Sequence, residues 1–230
     1  MTKKLIATLL AVMLLLPLGA LGANALTPEE ELEAQGWALA EETLAIFDTK
    51  KWTLKCDGEI YLRDGNRIAV EDRQWTNSFL LRLLLGEVER EIITPAQNLV
   101  LFNERGIYFD STWILLLTGM APGMAFETMS GYFGSAGLLK SMSVHVAEEN
   151  AYLVVTLDDP GADGSPVIKY YYLDGQLKRI SRTQVSLRSA FMPNSLEVES
   201  LAPGADLSQF STKGMSKLPS LLFLLLSVFG

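Results

Sequence analysis

One cysteine and one histidine are all that this chain of 230 residues holds of two side chains that bind metals and attack substrates. The lone Cys56 excludes an intramolecular disulfide, and with it a disulfide-stapled scaffold. Cys56 and His145 together are too few for a zinc cluster. Basic residues are also scarce: 19 Lys and Arg stand against 27 Asp and Glu, giving a formal charge of −8. Such a chain has no electrostatic case for nucleic acid. No internal repeat of solenoid period is present. What is present is the composition of a folded protein, 49% hydrophobic and 20% charged, with length for one real core rather than two.

Residues 1–25 read as a secretory signal peptide. Lys3 and Lys4 form a positive start, Leu5 to Leu16 an apolar run, and Ala23-Asn24-Ala25 a small-x-small cleavage site. An uncleaved anchor is the competing reading; the uninterrupted apolar run falls short of the ~20 residues a spanning helix needs. Cleavage after Ala25 removes two lysines and no acid, so the mature charge becomes −10. The protein is then expected outside the cytoplasm, periplasmic or secreted. At the other end, Leu218 to Phe229 carries no charge. It is too short to cross a bilayer as a helix. It reads as a segment packed on the core, a tail that dips into a membrane, or an artefact of the gene's end.

Between the ends lies one expected domain, residues 26–217. Thr27-Pro28-Glu29-Glu30 starts a helix: Thr27 caps, Pro28 suits the first position, and Glu30 completes a capping box. Leu32, Gly36, Leu39, Thr43, Ile46 and Phe47 recur at helical spacing, predicting one amphipathic helix over 28–47. Strand patterns follow. Trp52, Leu54 and Cys56 alternate with polar residues, and Asp64-Gly65-Asn66 marks a hairpin. Trp75 to Leu85, Val88 to Thr94, Leu99 to Phe102 and Ile107 to Phe109 read as further strands. From Ser111 to Phe126 there is no charge, and Gly119, Pro122 and Gly123 exclude a membrane-spanning helix, so one or two short helices are expected. A second set of strands begins near Leu138, with Asp174-Gly175 as another hairpin signal and a strand over Leu187 to Leu201 interrupted at Met192-Pro193-Asn194. The order predicts an α+β fold: a curved antiparallel sheet with helices held against one face.

A catalytic set does not emerge. Ser141, Ser143 and His145 would share a strand face, but no carboxylate, oxyanion hole or Gly-x-Ser-x-Gly elbow accompanies them. Cys56 reads as a small strand residue. An EF-hand counted from Asp159 would put Gly161 and Tyr170 where oxygen ligands are required, so a plain turn is preferred. Glu41-Glu42 and Glu148-Glu149 read as solvated charges. What stands out is adaptable apolar surface. Met120, Met124, Met129 and Met142 lie in and just after the helical insert, with Trp113, Leu116, Phe126, Tyr132 and Phe133 among them. Methionine suits surfaces that accept varied apolar partners; for any single one a place in the core is the better reading, and it is the cluster beside two glycines and a proline that suggests a binding surface. The insert reads as a hinged cover over the concave sheet, with the pocket completed by Trp52 and Leu54.

This order resembles the lipoprotein-carrier family of LolA, LolB and the LppX-type lipid-binding proteins. The resemblance covers most of residues 28–212. It rests on a helix before a strand run, on Glu91-Ile-Ile-Thr-Pro-Ala-Gln-Asn-Leu-Val-Leu-Phe102 followed by Tyr108, on Tyr170-Tyr-Tyr-Leu-Asp-Gly175, and on Ala205-Asp-Leu-Ser-Gln-Phe210. It implies an incomplete β-barrel covered by helices, with a central helical lid and a cavity for acyl chains. It also implies non-covalent binding of a hydrophobic small molecule, lipid or lipoprotein, without catalysis, cofactor or metal. A monomer is expected, with transient membrane contact through apolar surface rather than charge. Regulators of sigma-factor signalling reuse that fold, so a sensory module binding a protein partner is the alternative.

Overall fold

The computed structural model describes residues 26–72, 83–86, 88–117, 121–158, 167–183 and 192–222. The expected signal peptide, most of the run from Trp75 to Leu85, the loop at 159–166, residues 184–191 and the tail beyond Leu222 lie outside the described residues. The chain separates into two compact units, Met1–Glu31 and Leu32–Gly230.

In the first unit the capping box forms as the sequence specifies. The Thr27 N–H donates to Glu30 Oε2 at 2.7 Å and the Glu30 N–H to Thr27 Oγ1 at 3.2 Å. These bonds hold the Glu30 carboxyl below its ordinary pKa. They open helix α1 (Pro28–Asp48). Its buried face is Gly36, Ala40, Thr43, Leu44 and Phe47. The expected stripe was right at Gly36, Thr43 and Phe47, but Leu39 and Ile46 sit half-buried at its rim. Close approach to the sheet explains the shift. A Cβ on Gly36 would lie 2.5 Å from Val146 Cγ1, so the helix presents its small residues where it passes nearest.

The strands are β1 (Lys51–Cys56), β2 (Glu59–Asp64), β3 (Arg67–Glu71), β4 (Arg90–Ile93), β5 (Asn98–Phe102) and β6 (Ile107–Asp110), then, after the helical insert, β7 (Ser143–Glu149), β8 (Tyr152–Asp158), β9 (Ile168–Leu173), β10 (Gln176–Arg182), β11 (Ser195–Pro203) and β12 (Ser216–Leu218). They form one twelve-stranded sheet in the order β12-β6-β5-β4-β3-β2-β1-β11-β10-β9-β8-β7, not closed into a barrel. Two-residue turns join four of the eleven neighbouring pairs: β1–β2, β2–β3, β7–β8 and β9–β10. Asp174-Gly175, with φ of 51° and 73°, joins Leu173 to its partner Gln176. That is the left-handed pair a two-residue hairpin demands. The two strand sets join where β11 lies against β1, Leu54 opposite Leu201.

Three expectations need correction. The sheet is not wholly antiparallel, because β12 pairs parallel with β6. The chain between β6 and β12, residues 111–215, is long enough for the return that a parallel pair needs, whereas a tight hairpin forces antiparallel neighbours. Leu83–Leu85 is helical rather than strand, a short apolar run being ambiguous between the two. The chain from Leu138 to Ser141 forms a helical turn, and the second strand set starts at Ser143. The insert itself is helical as expected, with α2 (Thr112–Leu117) and α3 (Pro122–Tyr132), and Leu138–Ser141 is α4.

The main core lies where α1 and α3 cover one face of the sheet. On the opposite face, Leu62, Ala69, Ile92 and Leu101 pack under Phe210 of a short 3-10 turn, Leu207–Phe210. β5 is buried at every position, Leu99 and Leu101 in this cluster and Val100 and Phe102 in a third one with Val88 and Phe109. Leu218, where the apolar tail begins, belongs to β12 and packs by Phe102 and Phe109. Leu221 and Leu222 beyond it are exposed.

Asp110 ties the edge strand β12 to α2. Its carboxylate accepts from the Thr112 N–H at 3.2 Å and from Lys217 Nζ at 3.4 Å. Partial burial raises its pKa, but the Thr112 and Lys217 bonds outweigh this and hold it below the ordinary 3.8. A lowered pKa contributes stability above the unfolded value that disappears as pH falls through the folded value. Amide protection at Ser216–Leu218, corrected for intrinsic exchange, should therefore drop below pH 3.8. In Asp110→Asn that drop should be absent; an unchanged profile would refute the assignment.

Candidate functional site

The structure gathers six of the expected pocket residues into one packed cluster. Trp52, Leu54, Met129 and Phe133 are fully buried, and Tyr132 and Phe126 nearly so. Met124 is half-buried against the same cluster. Phe133 is its centre: the ring stacks on Phe47 at 5.3 Å and meets Trp52, Tyr61 and Tyr132 edge-on at 5.0, 5.8 and 5.2 Å. Beneath α3 these side chains pack against one another. Trp113 is half-buried and Leu116 exposed, both outside the cluster; Met120 lies outside the described residues.

Beside this packed cluster opens a cleft of about 320 Å³. Phe47 from α1, Leu138, Met142 and Ile168 make an apolar wall. Arg63 from β2 and Arg182 from β10 line it, together with Lys50 and Asp48. The chain at Gly131–Ser135 completes the mouth. Gly134 holds a φ of 87°, so the backbone can turn sharply after α3. The hydroxyl of fully buried Tyr170 donates to the Phe133 carbonyl at 2.9 Å and holds that turn down.

Arg182 Nη1 donates to the Gly131 carbonyl at 2.7 Å, where a cation complements the carbonyl end of α3, and its guanidinium carbon lies 6.0 Å from the Tyr132 ring centre. Arg63 Nε donates to the Gly65 carbonyl at 3.2 Å, and its guanidinium lies 5.8 Å from the Phe126 ring centre. Among the described residues neither guanidinium pairs with a carboxylate. Burial pulls both pKa values below the ordinary arginine value, opposed at Arg63 by Asp48 and at Arg182 by Tyr170 and Tyr132. Asp48 Oδ2 accepts the Ala136 N–H at 3.0 Å.

No protein-family model and no curated protein matches the chain.

The sequence reading assigns neither arginine to the site, yet a signal is there. Arg63 follows Tyr61 by two, and Arg182 follows Ile180 by two, so each shares a strand face with a buried apolar residue. A second cleft, about 380 Å³, runs beside α1 past Glu42 and Glu199, and its charge is acidic.

The other candidate groups are scattered. Ser143 and His145 share a face of β7, with His145 exposed, while Ser141 sits in α4 and its Oγ donates to the Gly137 carbonyl. Glu149 pairs with Lys169 at 3.2 Å. Among the described residues no group of three or more His, Cys, Asp or Glu could hold a metal, and no helix is long and apolar enough to cross a membrane. Cys56 is buried, and desolvation, with Asp57, Glu59 and Glu199 nearby, pushes its thiol up to about 12. Iodoacetamide at pH 8 should leave Cys56 unmodified in the folded protein and alkylate it in denaturant, as mass spectrometry would read. Rapid native labelling would contradict that burial.

Proposed function

We propose that this chain is an extracytoplasmic, non-catalytic binding or carrier protein for a hydrophobic ligand, a lipid or lipoprotein acyl chain, built on a curved, incomplete barrel with the α2–α3 insert as its cover. The observation that carries the reading is the cleft with the apolar wall of Phe47, Leu138, Met142 and Ile168 at the end of that insert. Magnitudes decide where the ligand sits. Each buried methylene is worth about 0.8 kcal/mol. Displacing a core aromatic such as Phe133 costs about 3–5 kcal/mol, so a short chain gains more in the cleft than beneath α3. The proposed site therefore moves from the interior facing Trp52 and Leu54 to the cleft beside it.

A fluorescent fatty acid should bind the purified protein saturably. Met142→Asp, at a half-buried position in the wall, should abolish uptake without unfolding the protein. A wild-type protein with no uptake and no extractable lipid would overturn the reading. The solid packing of Met129, Tyr132 and Phe133 favours a second reading, a sensory module that binds a protein partner through the same fold. Recovery of a membrane protein partner without any lipid uptake would support that one.

A further inference from the structure

We infer that the cleft recognises an anionic head group, so that its ligand is a single-chain amphiphile ending in a carboxylate or a phosphate, held by Arg63 and Arg182. The inference rests on the reading of this cleft as a hydrophobic-ligand site. Each guanidinium carries five N–H donors and commits one of them to a backbone carbonyl. The remaining donors form planar forks that match two oxygens of a carboxylate or phosphate. Both groups are half-buried, and no carboxylate among the described residues pairs with either. Removing a guanidinium from water is unfavourable; Asp48 offsets this only in part at Arg63, and tyrosines alone do so at Arg182, so both favour an arriving oxyanion.

The surroundings agree. Lys50 adds a third cation to the lining, and the acid there, Asp48, has one oxygen engaged by the Ala136 N–H. Three cations against one acid in a single cleft run counter to a chain of net charge −8. The apolar wall distinguishes an amphiphile from a free anion, because Leu138, Met142 and Ile168 give a small inorganic ion nothing to bind. At about 320 Å³ the cleft is small for a ligand pocket, enough for a head group and the first methylenes.

The test compares decanoate, decyl phosphate, decanol and inorganic phosphate on the full chain by titration calorimetry. Decanoate or decyl phosphate should bind at least about tenfold tighter than decanol, the size of effect expected of charged hydrogen bonds. In the double variant Arg63→Gln/Arg182→Gln the anionic amphiphiles should fall to the level at which that same variant binds decanol. Because Arg182 also braces α3, the variant Arg63→Lys/Arg182→Lys is measured beside it and should retain most of the preference; thermal melts confirm that both fold. Decanol binding as tightly as decanoate would overturn the head-group inference while leaving the hydrophobic-ligand reading standing. Inorganic phosphate binding as tightly as decyl phosphate would also overturn it, in favour of a free-anion site. No binding of any amphiphile would overturn both.

Discussion

Phe133→Ala should lower the unfolding free energy by about 3–5 kcal/mol, as read from denaturant midpoints. The ring is fully buried and touches four other aromatic rings, from α1, β1, β2 and α3. Truncation therefore removes the transfer energy of a whole ring and leaves a cavity bounded by rigid neighbours. Neighbouring rings are not free to refill it: Phe47 and Trp52 are themselves held edge-on at 5.3 Å, and Trp52 lies in the sheet. A measured loss below about 1 kcal/mol would show that Phe133 is not the centre of this core.

Gly134→Ala should cost about 2–5 kcal/mol, from left-handed strain of roughly 1–2 and overpacking of roughly 1–3. The backbone there holds φ at 87°, and a Cβ would lie 2.4 Å from the Tyr170 hydroxyl oxygen and 3.1 Å from Leu44 Cδ2. The Tyr170 hydroxyl cannot simply swing away, because it donates to the Phe133 carbonyl inside a fully buried site. Tyr170→Phe alone should cost about 1 kcal/mol by leaving that carbonyl without its donor. In the double variant the hydroxyl clash disappears while the φ strain remains, so the combined cost should fall at least about 0.5 kcal/mol short of the sum. Strict additivity would mean that the hydroxyl is not what Gly134 accommodates. Since Gly134 lines the cleft and its neighbour anchors the core, the same substitution should also weaken fatty-acid uptake.

Local chemistry was legible in the chain, and long-range placement was not. Thr27 and Glu30 identify their capping box because both partners lie within one turn. Asp174-Gly175 identifies its hairpin because two positive φ angles are a property of those two residues. The alternation Trp52, Leu54, Cys56 names an inward face, and all three are fully buried. By contrast, Ala40 is as buried as any leucine, which depends on how closely α1 approaches the sheet and not on Ala40's own hydrophobicity.

The insert shows the boundary most clearly. Its apolar residues can serve equally as a ligand's surface or as the protein's own filling, since periodicity and composition are the same in both cases. Packing places Met129, Tyr132 and Phe133 in the core and leaves Leu116 exposed. Arg63 and Arg182 are widely separated in sequence, and each alone is an ordinary strand residue. They share a cleft because β11 lies beside β1, a pairing that joins two strand sets across most of the chain. The sequence by itself determined helix starts, tight turns, strand faces and the shortage of nucleophiles and metal ligands, because those follow from neighbouring residues. Only the tertiary structure decided which apolar residues fill the core, that β12 runs parallel to β6, and that Arg63 and Arg182 line one cleft beside an apolar wall. Those follow from contacts between residues far apart in the chain, which no local pattern encodes.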